Sequence, residues 1–181
     1  MANTTFDGPV RSKNGFINLG PAAVKAVTLA TDLTVADHAG RLVTMDPAAT
    51  PTAITIPSII STADSAVAGP GSDLNNKSTI GTTFEILFID DFTGTIKTAN
   101  TSDKFVGMVT LGIDASTAGK QFVPATANNE VNLNGEAGAS VATTGGLRGS
   151  YIKFTAVAAN LYLVEGLLNA TGSLATPFDS Q

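Results

Sequence analysis

The side chains able to do chemistry are few, and they are scattered. There is one histidine, His38, and there is no cysteine. A Ser-His-Asp relay or a histidine-based metal centre would have to rest on His38 alone. No serine is framed as Gly-x-Ser-x-Gly, the sharp turn that exposes a nucleophile. Without cysteine, disulfides, thiolate metal sites and thiol nucleophiles are excluded, and the lack of cysteine fits synthesis in a reducing compartment. His38 therefore reads as an ordinary surface or interface residue.

Three further clusters invite a ligand reading. Asp90-Asp91 offers two carboxylates, but a hard cation wants several oxygens from one loop, and only Thr93 follows. The pair reads as a solvated hairpin turn. Asn132, Asn134 and Glu136 alternate around Gly135 without EF-hand spacing, and Asn134-Gly135 is a common hairpin pair. Gly145-Gly146-Leu147-Arg148-Gly149 lacks the Gly-Lys-Ser/Thr ending of a phosphate loop and reads as a flexible loop. No cofactor and no metal site is expected, and the chain reads as a non-enzyme.

Charge narrows the classes further. Charged residues make up 14% of the 181 residues, the net charge is −5 and the pI is about 4.6. No Lys/Arg block is present, so phosphate neutralisation and nucleic-acid binding are not expected. Met1 to Thr5 carries no apolar signal-peptide core. No apolar run approaches the roughly 18 to 20 residues that span a bilayer, so no membrane partner is expected. The polar surface is built instead from Thr, Ser, Asn and Gly, which tolerates close contact with another protein.

The elements that must carry these residues are short strands. Val24 to Thr31, Arg41 to Asp46, Thr52 to Ile56, Thr79 to Ile89, Thr95 to Thr98 and Phe105 to Ile113 alternate or run apolar. Gly107 and Gly112 weaken the last of these or mark bulges. In Thr79 to Ile89, Phe84, Ile86 and Phe88 share one face and Leu87 and Ile89 the other, which predicts burial on both sides. Thr34-Val35-Ala36-Asp37 predicts a single capped turn of helix with Thr34 as cap, closed by Gly40. Pro47 to Pro51 makes a hairpin or a β-corner. Ser61 to Lys77 is a long loop. Gln121 to Val123 and Val131 to Leu133 are short strands. Ser150 to Val157 and Leu161 to Leu168 form a terminal hairpin about Ala158-Ala159-Asn160. Eight to ten short strands, with no helix beyond a turn or two, predict an all-β fold. It is an antiparallel sandwich or barrel, jelly-roll-like, with no fixed-period repeat and hence no solenoid. Residues 22–168 form this domain, and 169–181 a loosely ordered tail.

Residues 1–21 read as an extended arm. Gly8-Pro9, Asn14-Gly15 and Gly20-Pro21 interrupt regular structure, yet large apolar side chains lie between them. Such an arm either folds back on its own domain or docks on a partner; docking of Phe6, Val10, Phe16 and Ile17 on a partner is the favoured expectation, with Arg11 and Lys13 placed to meet an acidic surface or to remain as solvated charges.

One segment carries a resemblance. Leu33-Thr34-Val35-Ala36-Asp37-His38-Ala39-Gly40-Arg41-Leu42-Val43 leads into Ala53-Ile54-Thr55-Ile56-Pro57. This resembles head-fibre, tail-fibre and capsid decoration (cement) proteins of tailed bacteriophages, where such a turn precedes a strand and a second strand ends in an apolar residue and proline. Gly81-Thr82-Thr83-Phe84-Glu85-Ile86 and Leu161-Tyr162-Leu163-Val164-Glu165-Gly166 fit the strands that follow, although the closing strand often carries Trp and this chain has none. Thr4 to Phe16 is similar to the opening of small structural proteins of marine tailed phages. The resemblance covers about two thirds of the chain in outline. It implies a homotrimeric subunit on the outer surface of the virion capsid that binds the major capsid protein and stabilises the shell. The alternative is a fibre or receptor-binding module, with Tyr151 and Tyr162 as stacking platforms where the ligand is a carbohydrate.

Overall fold

The computed structural model describes residues 24–46, 52–61, 79–113, 118–135 and 142–181. The arm residues Phe6, Val10, Arg11, Lys13, Phe16 and Ile17, Glu136, and nearly all of the Ser61 to Lys77 loop lie outside the described residues.

Among the described residues, twelve strands and one helical turn follow one another in this order: β1 (Val24–Val27), β2 (Thr31–Asp32), α1 (Val35–His38), β3 (Leu42–Met45), β4 (Thr52–Ile56), β5 (Thr83–Phe88), β6 (Thr93–Thr98), β7 (Lys104–Ile113), β8 (Lys120–Phe122), β9 (Glu130–Asn134), β10 (Tyr151–Ala158), β11 (Leu161–Ala170) and β12 (Phe178–Asp179). They form an all-β sandwich of two sheets. A seven-stranded sheet runs β1-β3-β5-β10-β11-β7-β8, and a five-stranded sheet runs β12-β9-β6-β4-β2.

The alternation of the strands places one apolar set inward. Phe84, Ile86 and Phe88 of β5, Ile152 and Phe154 of β10, and Ile54, Ile56, Ile96 and Val131 of the facing sheet are fully buried. Burying such a side chain contributes roughly 1.5–3 kcal/mol, which makes this shared layer the main source of stability. Two tilted aromatic pairs lie in it, Phe88 with Phe92 at 4.8 Å and Phe105 with Phe154 at 5.4 Å between ring centres. The expected two-sided burial of β5 does not occur. Leu87 is only half-buried and Ile89 is 42% exposed, because among the described residues the seven-stranded sheet has a partner layer on one face alone.

Strand direction departs from the antiparallel expectation. Five ladders are antiparallel and five are parallel. The reason lies in how the chain winds. From β1 to β6 it alternates sheets at every strand, so β1, β3 and β5 stack in parallel in one sheet and β2, β4 and β6 in the other. This is a short flattened coil. Its turns are unequal in length, since Val24 stands beside Leu42 but Leu42 beside Glu85. A coil of unequal turns leaves no sequence period, which is why the sequence reads as repeat-free.

The coil is then interrupted. β7 does not pair with β5; the terminal hairpin β10–β11 inserts between them. That hairpin was expected from sequence and is present, with Tyr151 opposite Leu167, a bulge between Ala156 and Ala158, and Asn160 at φ 56 in its turn. Gly107 and Gly112 mark no bulge, for β7 and β11 stay in unbroken register from Lys104 to Ile113.

Two expected hairpins are sheet-to-sheet crossings instead. Asp90-Asp91 joins β5 to β6, and Asn134-Gly135 leaves β9 toward β10, in each case changing sheet. The C-terminal tail is also tied down. β11 continues to Ala170, and Phe178–Asp179 adds a strand beside Val131 and Glu130.

Candidate functional surfaces

The end of the sandwich where β1, β3 and β5 finish is termed upper, and the end where they begin lower. Each end holds residues that the sequence singles out.

At the upper end, Asp90 and Asp91 act on backbone. Asp91 accepts the Arg148 N–H at 2.8 Å, and Asp90 accepts the Asp91 N–H at 2.9 Å. These bonds fix the crossing, as the short polar side chain of Asp does in turns. The glycine run beside it is not a loose loop. The Gly146 carbonyl accepts the Phe92 N–H at 2.7 Å, the Gly145 carbonyl accepts from Asn134, and the Gly149 N–H donates to Phe88. Asn132 spends its amide on Asp179 at 3.2 Å. Among the described residues, no group of three or more His, Asp or Glu is gathered to hold a metal ion.

At the lower end, His38 belongs to the capped turn. Thr34 caps α1 by accepting the Asp37 N–H at 3.2 Å, as the sequence predicts. The reach back to the cap's own N–H comes from His38 rather than Asp37. Thr34 N–H donates to His38 Nδ1 at 3.0 Å, which leaves the ring proton of the neutral imidazole on Nε2. His38 is buried rather than at the surface. Burial, then the Lys25 charge, holds its pKa below the ordinary histidine value, against the opposing pull of the Asp37 carboxylate. Its accepting nitrogen is thus engaged in structure.

A second polar node at this end was not foreseen. Asp103, at the turn from β6 to β7, is fully buried, and its Oδ2 accepts the Ile59 N–H at 3.1 Å while Oδ1 has no partner among the described residues. Desolvation raises its pKa, only partly offset by the Ile59 bond. Tyr162 lies beside it at the start of β11, 1% exposed, donating its hydroxyl to the Pro57 carbonyl at 2.7 Å. Burial and then the charge of Asp103 raise its pKa far above the ordinary phenol value. Tyr162 is therefore unable to serve as a sugar-stacking platform. The chain terminus closes the node. Gln181 donates its side-chain amide to the Thr98 carbonyl at 2.9 Å and its N–H to Asn129 Oδ1 at 3.0 Å. The tail signal in sequence was only Pro177-Phe178, whose burial depends on β9 being near.

The third surface is the outward face of the seven-stranded sheet. Val106, Met108 and Leu167 are 41%, 41% and 52% exposed there, with Leu163, Leu87 and Tyr151 half-buried around them. Across its middle runs a charge row, Glu85, Lys153 and Glu165 standing side by side on β5, β10 and β11. Burial, and then the charge of the nearby Glu85 carboxylate, raises the Tyr151 phenol pKa. The sequence signal for this face was the apolar character of both sides of β5.

This chain matches no family, no curated protein and no solved structure. Among the described residues no helix is long and apolar enough to cross a membrane.

Proposed function

We propose that the protein is a non-enzymatic assembly subunit of the capsid-decoration kind. In this reading it is a homo-oligomer on the outer surface of a phage head, and it binds the major capsid protein through its N-terminal arm and loops. The observation that supports this reading is where the arm joins. Residues before Val24 lead into β1, an edge strand of the seven-stranded sheet whose first three residues are all exposed. A segment attached at an exposed edge is free to engage a partner without opening the core. Phe6, Phe16 and Ile17 would then supply the apolar anchors that dominate such contacts. The low-charge Thr, Ala and Gly surface is compatible with close protein contact.

The test is co-sedimentation with expanded phage heads that lack the protein, comparing the full chain with a deletion of residues 1–20. Saturable pelleting of the full chain and none of the deletion is expected. Equal pelleting of both would remove the arm from the mechanism, and no pelleting of either would remove the shell. The fibre reading with a carbohydrate ligand retains Tyr151 as its stacking residue, now that Tyr162 is buried.

A further inference from the structure

We propose that the outward face of the seven-stranded sheet is a homotypic interface, on which a second copy of this chain packs about a two-fold axis parallel to the strands and centred between β10 and β11. The shell-binding reading is not needed for this inference.

The cross-strand register carries the argument. Thr155 stands opposite Leu163, Lys153 opposite Glu165 and Tyr151 opposite Leu167. A two-fold along the strands keeps each residue at its height and exchanges β10 for β11. Glu165 then meets the partner's Lys153 and Lys153 meets the partner's Glu165. Leu167 lies on the partner's Tyr151, and Leu163 on the partner's Thr155. One strand further out, Met108 of β7 covers the stem of the partner's Glu85, because Met108 flanks Glu165 and Glu85 flanks Lys153.

The charge row selects this arrangement. An axis centred on β10 sets Lys153 against its own copy, and an axis centred on β11 sets Glu165 against its own copy, both repulsive. Centring between the two strands pairs opposite signs and places the exposed Val106, Met108 and Leu167 close to the axis. Strands apolar on both faces are characteristic of sheets covered on both sides. Here β5 and β11 have that pattern, yet among the described residues only the inner face is covered by a second sheet. The area also suffices. Four strands at about 4.8 Å spacing and about ten residues at roughly 3.3 Å give a flat footprint on the order of 600 Å². With side-chain relief this approaches the roughly 800 Å² per partner of a stable interface.

The experiment uses the full chain and sedimentation equilibrium. Wild type is expected at the mass of two copies. Lys153→Glu alone and Glu165→Lys alone are each expected at the mass of one copy, with circular dichroism unchanged. Mixing the two variants in equal amounts is expected to restore the dimer, since each changed side chain then meets the opposite sign across the axis. That rescue separates an interface from a neighbour effect within one sheet, which mixing leaves untouched. Leu167→Glu, at the most exposed apolar position of the face, is expected to give the one-copy mass under all mixtures. A monomeric wild type, a larger assembly indifferent to these changes, or a mixture that stays monomeric would each overturn the proposal.

Discussion

At the upper end of the sandwich, Gly135 and Gly146 let three stretches of backbone meet with no side chain between them, whereas at the lower end Asp103, Asn129, Tyr162 and Gln181 close the same kind of gap with polar side chains. A Cβ at Gly146, whose φ is +106, would press on the Phe92 carbonyl, and one at Gly135 would press on the carbonyls of Gly146 and Phe92. The neighbouring atoms there are backbone and have no rotamer by which to yield. At the lower end the closing atoms belong to side chains, and one of them titrates. The difference teaches that the upper closure is sensitive to volume, because backbone meets backbone there, while the lower closure tolerates small changes of shape and contains a buried carboxylate that responds to protons.

The largest effect is expected at the upper end. Gly146→Ala combines a left-handed backbone angle with a backbone clash and should destabilise the fold by about 3 kcal/mol. A urea titration that found a loss near zero would erase the contrast. At the lower end, Tyr162→Phe leaves the half-buried Pro57 carbonyl without its donor and should cost about 1–2 kcal/mol by the same titration. A loss as large as that of Gly146→Ala would show that both ends are equally rigid.

At the lower end, protons should act through Asp103. Asp103 has a folded pKa raised above its unfolded value. Its contribution is fully present below the ordinary carboxylate range of about 3.9 and is lost as pH rises through the folded value. Asp103→Asn should therefore remove a decline of melting temperature with rising pH that begins in that range, whereas Gly146→Ala should leave the decline in place. Parallel pH profiles for wild type and Asp103→Asn would assign the slope to other groups. The smallest effect is expected at the capped turn, where Thr34→Ala removes the acceptor for Asp37 N–H and should cost about 1 kcal/mol or less. Amide exchange should quicken at Asp37 and leave the β10–β11 ladder unchanged.

Much of the local structure was legible because it depends on nearest neighbours. The alternation of Phe84, Ile86 and Phe88 marks a strand with one buried face, and Thr34 marks a cap. Tyr151 to Ala158 and Leu161 to Ala170 mark a hairpin around a short turn. Asp90-Asp91 and Asn134-Gly135 were legible as turns but not as crossings. The same turn residues serve a chain that returns beside its own strand and one that moves to the facing sheet. His38 was legible as part of the capped turn, but its role as acceptor for Thr34 N–H was not, because Asp37 occupies the usual position for that task. Asp103 carried no signal, since a single acid before a strand is ordinary in sequence and becomes distinctive only when the Ile59 backbone and Tyr162 enclose it. The arm residues Phe6, Val10, Arg11, Lys13, Phe16 and Ile17 remain a proposal drawn from sequence, supported by the exposed edge strand that they precede.

By itself, the sequence determined that this is a charge-poor, cysteine-free, all-β chain with one capped turn and a terminal hairpin, because composition, side-chain alternation and turn chemistry act over a few residues. Only the tertiary structure decided that the first six strands wind between two sheets, that the last hairpin lies between β5 and β7, and that Phe178 and Gln181 close the lower end. Each of these joins residues far apart in the chain, and such pairings are set by which apolar faces and backbone edges remain to be covered once the local elements exist.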